Sequence, residues 1–346
     1  MVIVFEKWGV WGEVFMQINN HLAGFQRHLR VLHALSEQSI QQYQRAVEEC
    51  LRWLDGKGIH DIKDITRKDL EAYLEWCFYR GNSTRTRMVK LISLQRFFRY
   101  LKYEEIIERD IASEIPRPKI YQKFAQKFTK DEVLKIFRAI DINTEKGIRD
   151  VCIFIFAAFC GMRIGEISKV RMEDVIDGKP LYINVIDSKF HSYRSVSIWK
   201  ATAVFINQWY SIRLAQGANS EDPFFISFRR RGWRKFTNTP QEKPLGSAAI
   251  GLLIKAYAKK AGLRRSAVRA HMFRATHYDD LRHIKGYDDQ AIAGRLGWKH
   301  TSTADRYISN RDRVSGHYPS LAAYWSEFPN IWRKNDNNGD GIAKED

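Results

Sequence analysis

"IRDVCIFIFAAFCGMRIGEISKV", residues 148–170, contains the longest strongly apolar run in the chain, Val151 to Met162. A membrane helix needs about 20 apolar residues to cross a hydrocarbon layer of ~30 Å, and this run is too short. It predicts a buried core helix, then a turn at Gly161, then a second helix from about Ile164. With 346 residues the chain exceeds what one compact core usually covers, so two domains are expected.

The boundary lies upstream of that helix. "EIPRPKIYQKFAQKF", residues 114–128, breaks every periodic pattern, because Pro116 and Pro118 force the residues before them out of helix. Lys119, Lys123 and Lys127 make it a basic, extended connector. Immediately after it, Thr129 with Glu132 three places on forms a capping box and opens the next helix.

Before the connector, three helices are predicted. Ile40, Tyr43, Val47, Leu51 and Leu54 recur at spacings of three and four from Ser36, and Gly56 and Gly58 end the run. A second starts at Thr66, with Asp69 completing a variant capping box, and carries Leu70, Tyr73, Leu74, Cys77 and Phe78. The third runs from about Ser83 to Leu101. Its start and flanks carry Arg85, Arg87 and Lys90, which suit either an ordinary solvated face or contact with phosphate.

After the buried helix, "LYINVIDSKFHSYRSVSIW", residues 181–199, is rich in Ile, Val and Tyr on both sides of a polar break, and predicts a β-hairpin with Lys189 at its tip. "SFRRRGWRKF", residues 227–236, is a basic loop containing Arg229, Arg230 and Arg231. Helical pattern resumes from about Ser247 to Ala261. In the tail, Asp336, Asn338, Asp340 and Gly341 mimic the first half of a calcium loop, but the position of the bidentate Glu is absent, so a disordered tail is expected.

Charge narrows the partner. Lys and Arg number 57 against 40 Asp and Glu, a formal net charge of +17 that favours a polyanion, nucleic acid above all. The opening "MVIVFEKWGVWGEVF" has no cationic start and is interrupted by Glu6, Lys7 and Glu13, a poor secretory signal. A cytoplasmic, nucleoid-associated protein with no membrane partner is expected. Cys50, Cys77, Cys152 and Cys160 lie in apolar helical patterns without a C-x-x-C pair, as buried thiols rather than zinc ligands or disulfides.

Four fragments then carry chemistry. "GMRIGEIS" sets Arg163 after a turn, with Glu166 placed to hold its guanidinium. "HMFRATHYDDLRH" puts His271 and Arg274 at i and i+3, on one side of a helix. Lys189 rides the hairpin. "LGWKHTSTADRYIS", residues 296–309, offers Trp298, His300 and, among small and polar neighbours, Tyr307. Each fragment alone is weak.

Together and in this order they resemble the tyrosine recombinase family, the phage-type integrases and the Xer-like and Cre-like enzymes that cut and rejoin DNA. The four fragments look like that family's first-arginine box, lysine hairpin, H-x-x-R box and nucleophile box. The helices from Leu35 to Tyr103 look like its core-binding domain, and Thr129 to about Ser309 like its catalytic domain. The resemblance implies a mainly α fold: a two-domain clamp with an N-terminal helical, SAM-like core-binding domain and an α-rich catalytic domain bearing a small β-hairpin or sheet. The expected divisions are an N-terminal extension or arm at 1–32, the core-binding domain at 33–115, the linker at 116–127, the catalytic domain at 128–333 and the tail at 334–346.

By the same resemblance Tyr307 is the nucleophile, Arg163 and Arg274 bind the phosphate, Lys189 is the general acid, His271 handles the phenol's proton or positions the phosphate, and the last phosphate contact falls to Trp298 or to His300. The residue types suit the task. A phenol of pKa about 10 is protonated at neutral pH, and two arginines can stabilise the pentacoordinate phosphorus with bidentate geometry that lysine lacks. The covalent link conserves the phosphodiester's energy, so no cofactor, ATP or metal is expected. The sequence agrees, having no Walker A loop and no carboxylate cluster for paired magnesium ions. Expected partners are double-stranded DNA and further copies of the chain, a tetramer on two sites, with the C-terminal helix at 320–333 docking on its own domain or on a neighbour. A topoisomerase IB-like or telomere-resolving enzyme, and a DNA-binding regulator without catalysis, remain open alternatives.

Overall fold

The computed structural model describes residues 21–120, 125–176, 181–187, 192–198, 200–228, 243–264, 268–283, 288–298 and 331. The chain forms two compact units, Met1–Gln122 and Lys123–Asp346.

The first unit is built of helices. Residues 21–31 form α1, followed by α2 (Glu37–Asp55), α3 (Arg67–Tyr79) and α4 (Thr84–Tyr103). The starts follow side-chain chemistry: Ser36, Thr66 and Ser83 each cap with an oxygen that accepts the backbone N–H three residues on. At Thr66 the box is reciprocal, since its own N–H donates to Asp69 Oδ2 at 2.8 Å. α1 contributes Leu22, Phe25 and Leu29 to the core, and Phe25 meets Phe97 of α4 edge-on at 5.3 Å between centroids. Gln95, buried on α4, donates to the carbonyls of Ala112 and Ile115 and accepts from Arg117 Nε at 3.0 Å. These bonds hold the chain against the unit as it enters the proline segment.

The second unit surrounds the helix that the apolar run predicts. α6 (Glu145–Ala158) is buried from Gly147 to Ala158. The core it forms also takes residues of α5 (Lys130–Arg138), the short α7 (Ile164–Ile167), α8 (Lys200–Ala215), α9 (Ser247–Lys260) and α10 (His271–His283), while α11 (Asp289–Leu296) packs with α10 in a smaller cluster beside it. α5 opens on the expected capping box, Thr129 with Glu132. The hairpin is present as β2 (Tyr182–Asp187) and β3 (Ser192–Ser197), antiparallel, with Asn184 opposite Ser195. The two-residue β1 (Val175–Ile176) pairs with β2 and makes the sheet three-stranded.

Inside this unit Arg149 and Asp150 form a buried ion pair, with Tyr257 donating to Asp150 Oδ2 at 2.9 Å. Burial pushes the Asp150 carboxyl above its ordinary value, against the pull of Arg149. Ile331 is buried in the same core, while the rest of the 320–333 segment lies outside the described residues. All four cysteines are free and buried. Among the described residues no helix is long and apolar enough to cross a membrane.

Candidate active site

The end of α6 and the end of α11 meet at one place. The chain leaves α6 through Gly161, whose φ of +60° is left-handed, and a Cβ there would sit 2.5 Å from His277 Cδ2 and 2.6 Å from Leu296 Cδ2. Only glycine suits both the turn and the gap. Two residues later Arg163 is the N-cap of α7, and Glu166 closes back on it: the Arg163 N–H donates to Oε2 at 2.8 Å and Nη1 to Oε1 at 2.7 Å.

α11 ends at Gly297, also left-handed at φ +63°, as helix C-termini commonly do. A helix end leaves carbonyls without intrahelical donors and carries the negative end of the dipole. Here three consecutive carbonyls each accept from an arginine that comes from a different part of the chain. Arg194 Nε donates to Arg295 O at 3.1 Å, Arg274 Nη2 to Leu296 O, and Arg163 Nη2 to Gly297 O at 3.4 Å. Arg274 also donates from Nη1 to Gly161 O at 2.5 Å. Arginines separated by 111 positions along the chain, 163 and 274, thus converge on adjacent backbone atoms.

Trp298 follows directly, partly exposed, with its ring centroid 6.0 Å from Arg274 Cζ and 5.2 Å from the Tyr278 ring. Tyr278 is itself buried, and burial pushes its phenol up to about 12, so it stays protonated. His271 begins α10 one turn before Arg274. It is exposed whereas Arg274 is buried, with a relative exposure of 1%. Lys189, Tyr307 and His300 lie outside the described residues, as do Arg229, Arg230 and Arg231.

Glu166 carries more charge than its sequence motif suggests. It also takes Arg194 fork to fork, Nη1 to Oε1 at 3.2 Å and Nη2 to Oε2 at 2.8 Å. Burial pushes its carboxyl up, but the hydrogen bonds and charges of Arg194 and Arg163 outweigh that and hold it below the ordinary carboxylate value. Motif reading does not find Arg194. Its one signal is alternation: on β3 it shares a face with buried Val196, so a guanidinium there requires a partner.

In the first unit the candidate phosphate contacts separate. Arg85 is exposed. Arg87 stacks over Phe78, its Cζ 4.9 Å from the ring centroid. Lys90 is buried, its ammonium 2.7 Å from Glu49 Oε2 and 5.6 Å from the Tyr73 ring centroid, a placement that turns it from solvent toward the interior.

Known families and structures match this architecture. The phage integrase family matches residues 126–313, and the phage integrase N-terminal SAM-like domain matches residues 22–105. The tyrosine recombinase XerC of Bacillus subtilis (strain 168) is 23% identical over 326 residues, covering 92% of this chain and 99% of that protein. XerC of Roseiflexus castenholzii (strain DSM 13941 / HLO8) is 25% identical over 309 residues, covering 87% and 92%. Among solved structures, a lambda integrase dimer bound to a COC' core site superposes with a TM-score of 0.62 at 18% identity, covering 87% of this chain and 98% of that one. A lambda integrase tetramer bound to a Holliday junction gives 0.63 at 18%, covering 87% and 80%. At such identity these two speak to the fold.

Proposed function

The chain belongs to the phage integrase family of tyrosine recombinases, and from that premise we propose that it is a site-specific DNA recombinase, cleaving and rejoining strands through a 3′-phosphotyrosyl intermediate without ATP or metal. The observation that carries the proposal is the convergence of Arg163 and Arg274 on consecutive carbonyls at the end of α11, with Trp298 next in the chain.

Those carbonyls hold both guanidiniums in place before any DNA binds. Preorganised cations aimed at the charge that develops in the transition state cost no reorganisation when it forms, and losing one such donor typically raises the barrier by on the order of 3 to 4 kcal/mol. In the proposed reaction the Tyr307 oxygen attacks the phosphorus, the 3′ phosphate becomes esterified to the phenol, and the 5′ oxygen leaves. Lys189 donates the proton that this oxygen needs, and His271 handles the phenol's proton or positions the phosphate. The indole N–H of Trp298 donates to a phosphate oxygen. The bond energy stays in the phosphotyrosine, so attack by a 5′ hydroxyl of a second strand restores a phosphodiester with no further input. A net charge of +17 supports binding of the duplex backbone, with Arg85 and the loop arginines 229 to 231 as contacts. Exchange between two duplexes calls for a homotetramer.

The test is incubation with a nicked suicide duplex carrying the recognition site, selected beforehand from a random DNA pool. A covalent protein–DNA band is expected from the wild-type chain and none from Tyr307→Phe. An adduct that survives in Tyr307→Phe removes the assigned nucleophile. An adduct without products joining two sites points instead to a topoisomerase-like enzyme.

A further inference from the structure

Arg194 has no part in the chemistry just described, yet it touches both the carboxylate that holds Arg163 and the helix end whose carbonyls hold Arg163 and Arg274. On β3 its side chain points inward and is only 11% exposed. Its guanidinium engages both oxygens of Glu166, the carboxylate that also holds Arg163. Its Nε caps Arg295 O, one residue before the carbonyl that takes Arg274. It also lies against the Gly297 turn, where a Cβ would come within 2.7 Å of its Nη1. From the other side, Arg295 of α11 reaches back to Ser197 of β3, donating to Oγ at 3.3 Å and to the carbonyl at 3.4 Å. A strand and a helix end are thereby cross-linked by reciprocal arginines.

The charge balance explains what this does. One buried carboxylate serves two cations, Arg194 at 11% exposure and Arg163 at 37%. With Arg194 present, Arg163 shares Glu166. Without it, the carboxylate is left to Arg163 alone and draws that guanidinium inward, away from a bound phosphate. The α11 end also loses a cap at the residue next to Arg274's acceptor.

We infer that Arg194 is a positioning residue for strand cleavage, acting through Glu166 on Arg163 and through the end of α11 on Arg274 and Trp298. The inference rests on the function proposed above. It also ties the hairpin that carries Lys189 to the arginine pair, because β3 is one strand of that hairpin.

Arg194→Gln is expected to slow adduct formation at saturating suicide DNA by about tenfold to a hundredfold, by analogy with the loss seen when the partners that orient metal-bound side chains are removed. The half-saturating DNA concentration stays nearly unchanged. Arg194→Lys recovers part of the rate, since an ammonium neutralises Glu166 but cannot span both its oxygens. The double variant Arg194→Gln with Glu166→Gln loses no more than the worse single variant, because both act on one chain of contacts. Independently of cleavage, phenylglyoxal labelling of Arg163, read by peptide mass spectrometry, changes in rate when Arg194 is replaced. A wild-type cleavage rate in Arg194→Gln, or losses that multiply in the double variant, overturns the inference. If the wild-type chain forms no adduct, the proposed function falls. The labelling then decides alone: an unchanged Arg163 rate overturns the positioning contact, and a changed one upholds it. Should Arg194→Gln not fold, Arg194→Lys gives the same comparisons with a smaller expected loss.

Discussion

Replacing Gly161 by alanine tests the geometry on which the arginine pair depends. The residue has φ +60°, and an added Cβ lies 2.5 Å from His277 Cδ2 and 2.6 Å from Leu296 Cδ2. Left-handed backbone costs an L-residue about 1–2 kcal/mol. Overpacking costs about 1–3 kcal/mol more where neighbours cannot yield, and His277 and Leu296 are both buried. The sum, about 2–5 kcal/mol, is a large part of the ~5–15 kcal/mol that holds a typical domain together. Gly165 in α7 is the matched control, since a Cβ there meets nothing within 4 Å and its φ is ordinary. Urea unfolding of the full chain, followed by tryptophan fluorescence with both transitions fitted, is expected to show a lower midpoint for the second unit in Gly161→Ala and no loss in Gly165→Ala. Adduct formation should fall in Gly161→Ala alone, because the displaced carbonyl is the acceptor of Arg274 Nη1. A loss no larger than the backbone cost alone, about 1–2 kcal/mol, would refute the close approach.

Two further outcomes follow from the same contacts. Lys90→Gln should destabilise the first unit by about 0.5–1.5 kcal/mol, because it removes a buried ammonium from Glu49, which is one-third exposed and keeps Arg80 at 3.7 Å. It should leave the salt dependence of DNA binding unchanged, whereas Arg85→Gln should keep stability and lower the slope of log K against log salt by about one; the reverse pattern would make Lys90 the phosphate contact. His277 is predicted to make the protein acid-sensitive. Burial, reinforced by Arg295 and Arg274, holds its folded value well below 6.5. The unfolded chain therefore takes up a proton near pH 6.5 that the folded chain refuses. Stability is full above that pH and falls below it by up to about 1.4 kcal/mol per pH unit. His277→Gln should lower the slope of unfolding free energy between pH 6.5 and 5, leaving the smaller share of His21 and His28, which burial also holds below 6.5, and an unchanged slope would rule out His277 as the cause.

Much of this architecture is legible because its signals are local. A capping box such as Thr66 with Asp69, or Thr129 with Glu132, is closed by atoms three residues apart, so the helix start can be read without knowing the fold. The apolar run from Val151 reads as interior for a similar reason: no wet face can be drawn on it. Features that depend on distant chain are harder to see. β1 is two residues long and is recognisable only through its pairing with Ile183 and Tyr182. α8 gives no clear helical signal in the sequence, because its apolar residues do not settle on one stripe. Lys90 reads as a surface cation until Glu49 and the Tyr73 ring are found around it.

The candidate site divides along the same line. Sequence by itself determined which side chains are available: a guanidinium after a glycine turn, a second one a helical turn past a histidine, and an indole after a helix stop. Tertiary structure alone decided that Arg163 and Arg274 meet at the end of α11, and that Arg194 stands behind them on Glu166. Helix caps are written within one turn of chain, whereas the donors that satisfy the carbonyls of 295, 296 and 297 come from residues up to 134 positions away. Such donors are selected by unsatisfied backbone and buried charge, which exist only once the elements have come together.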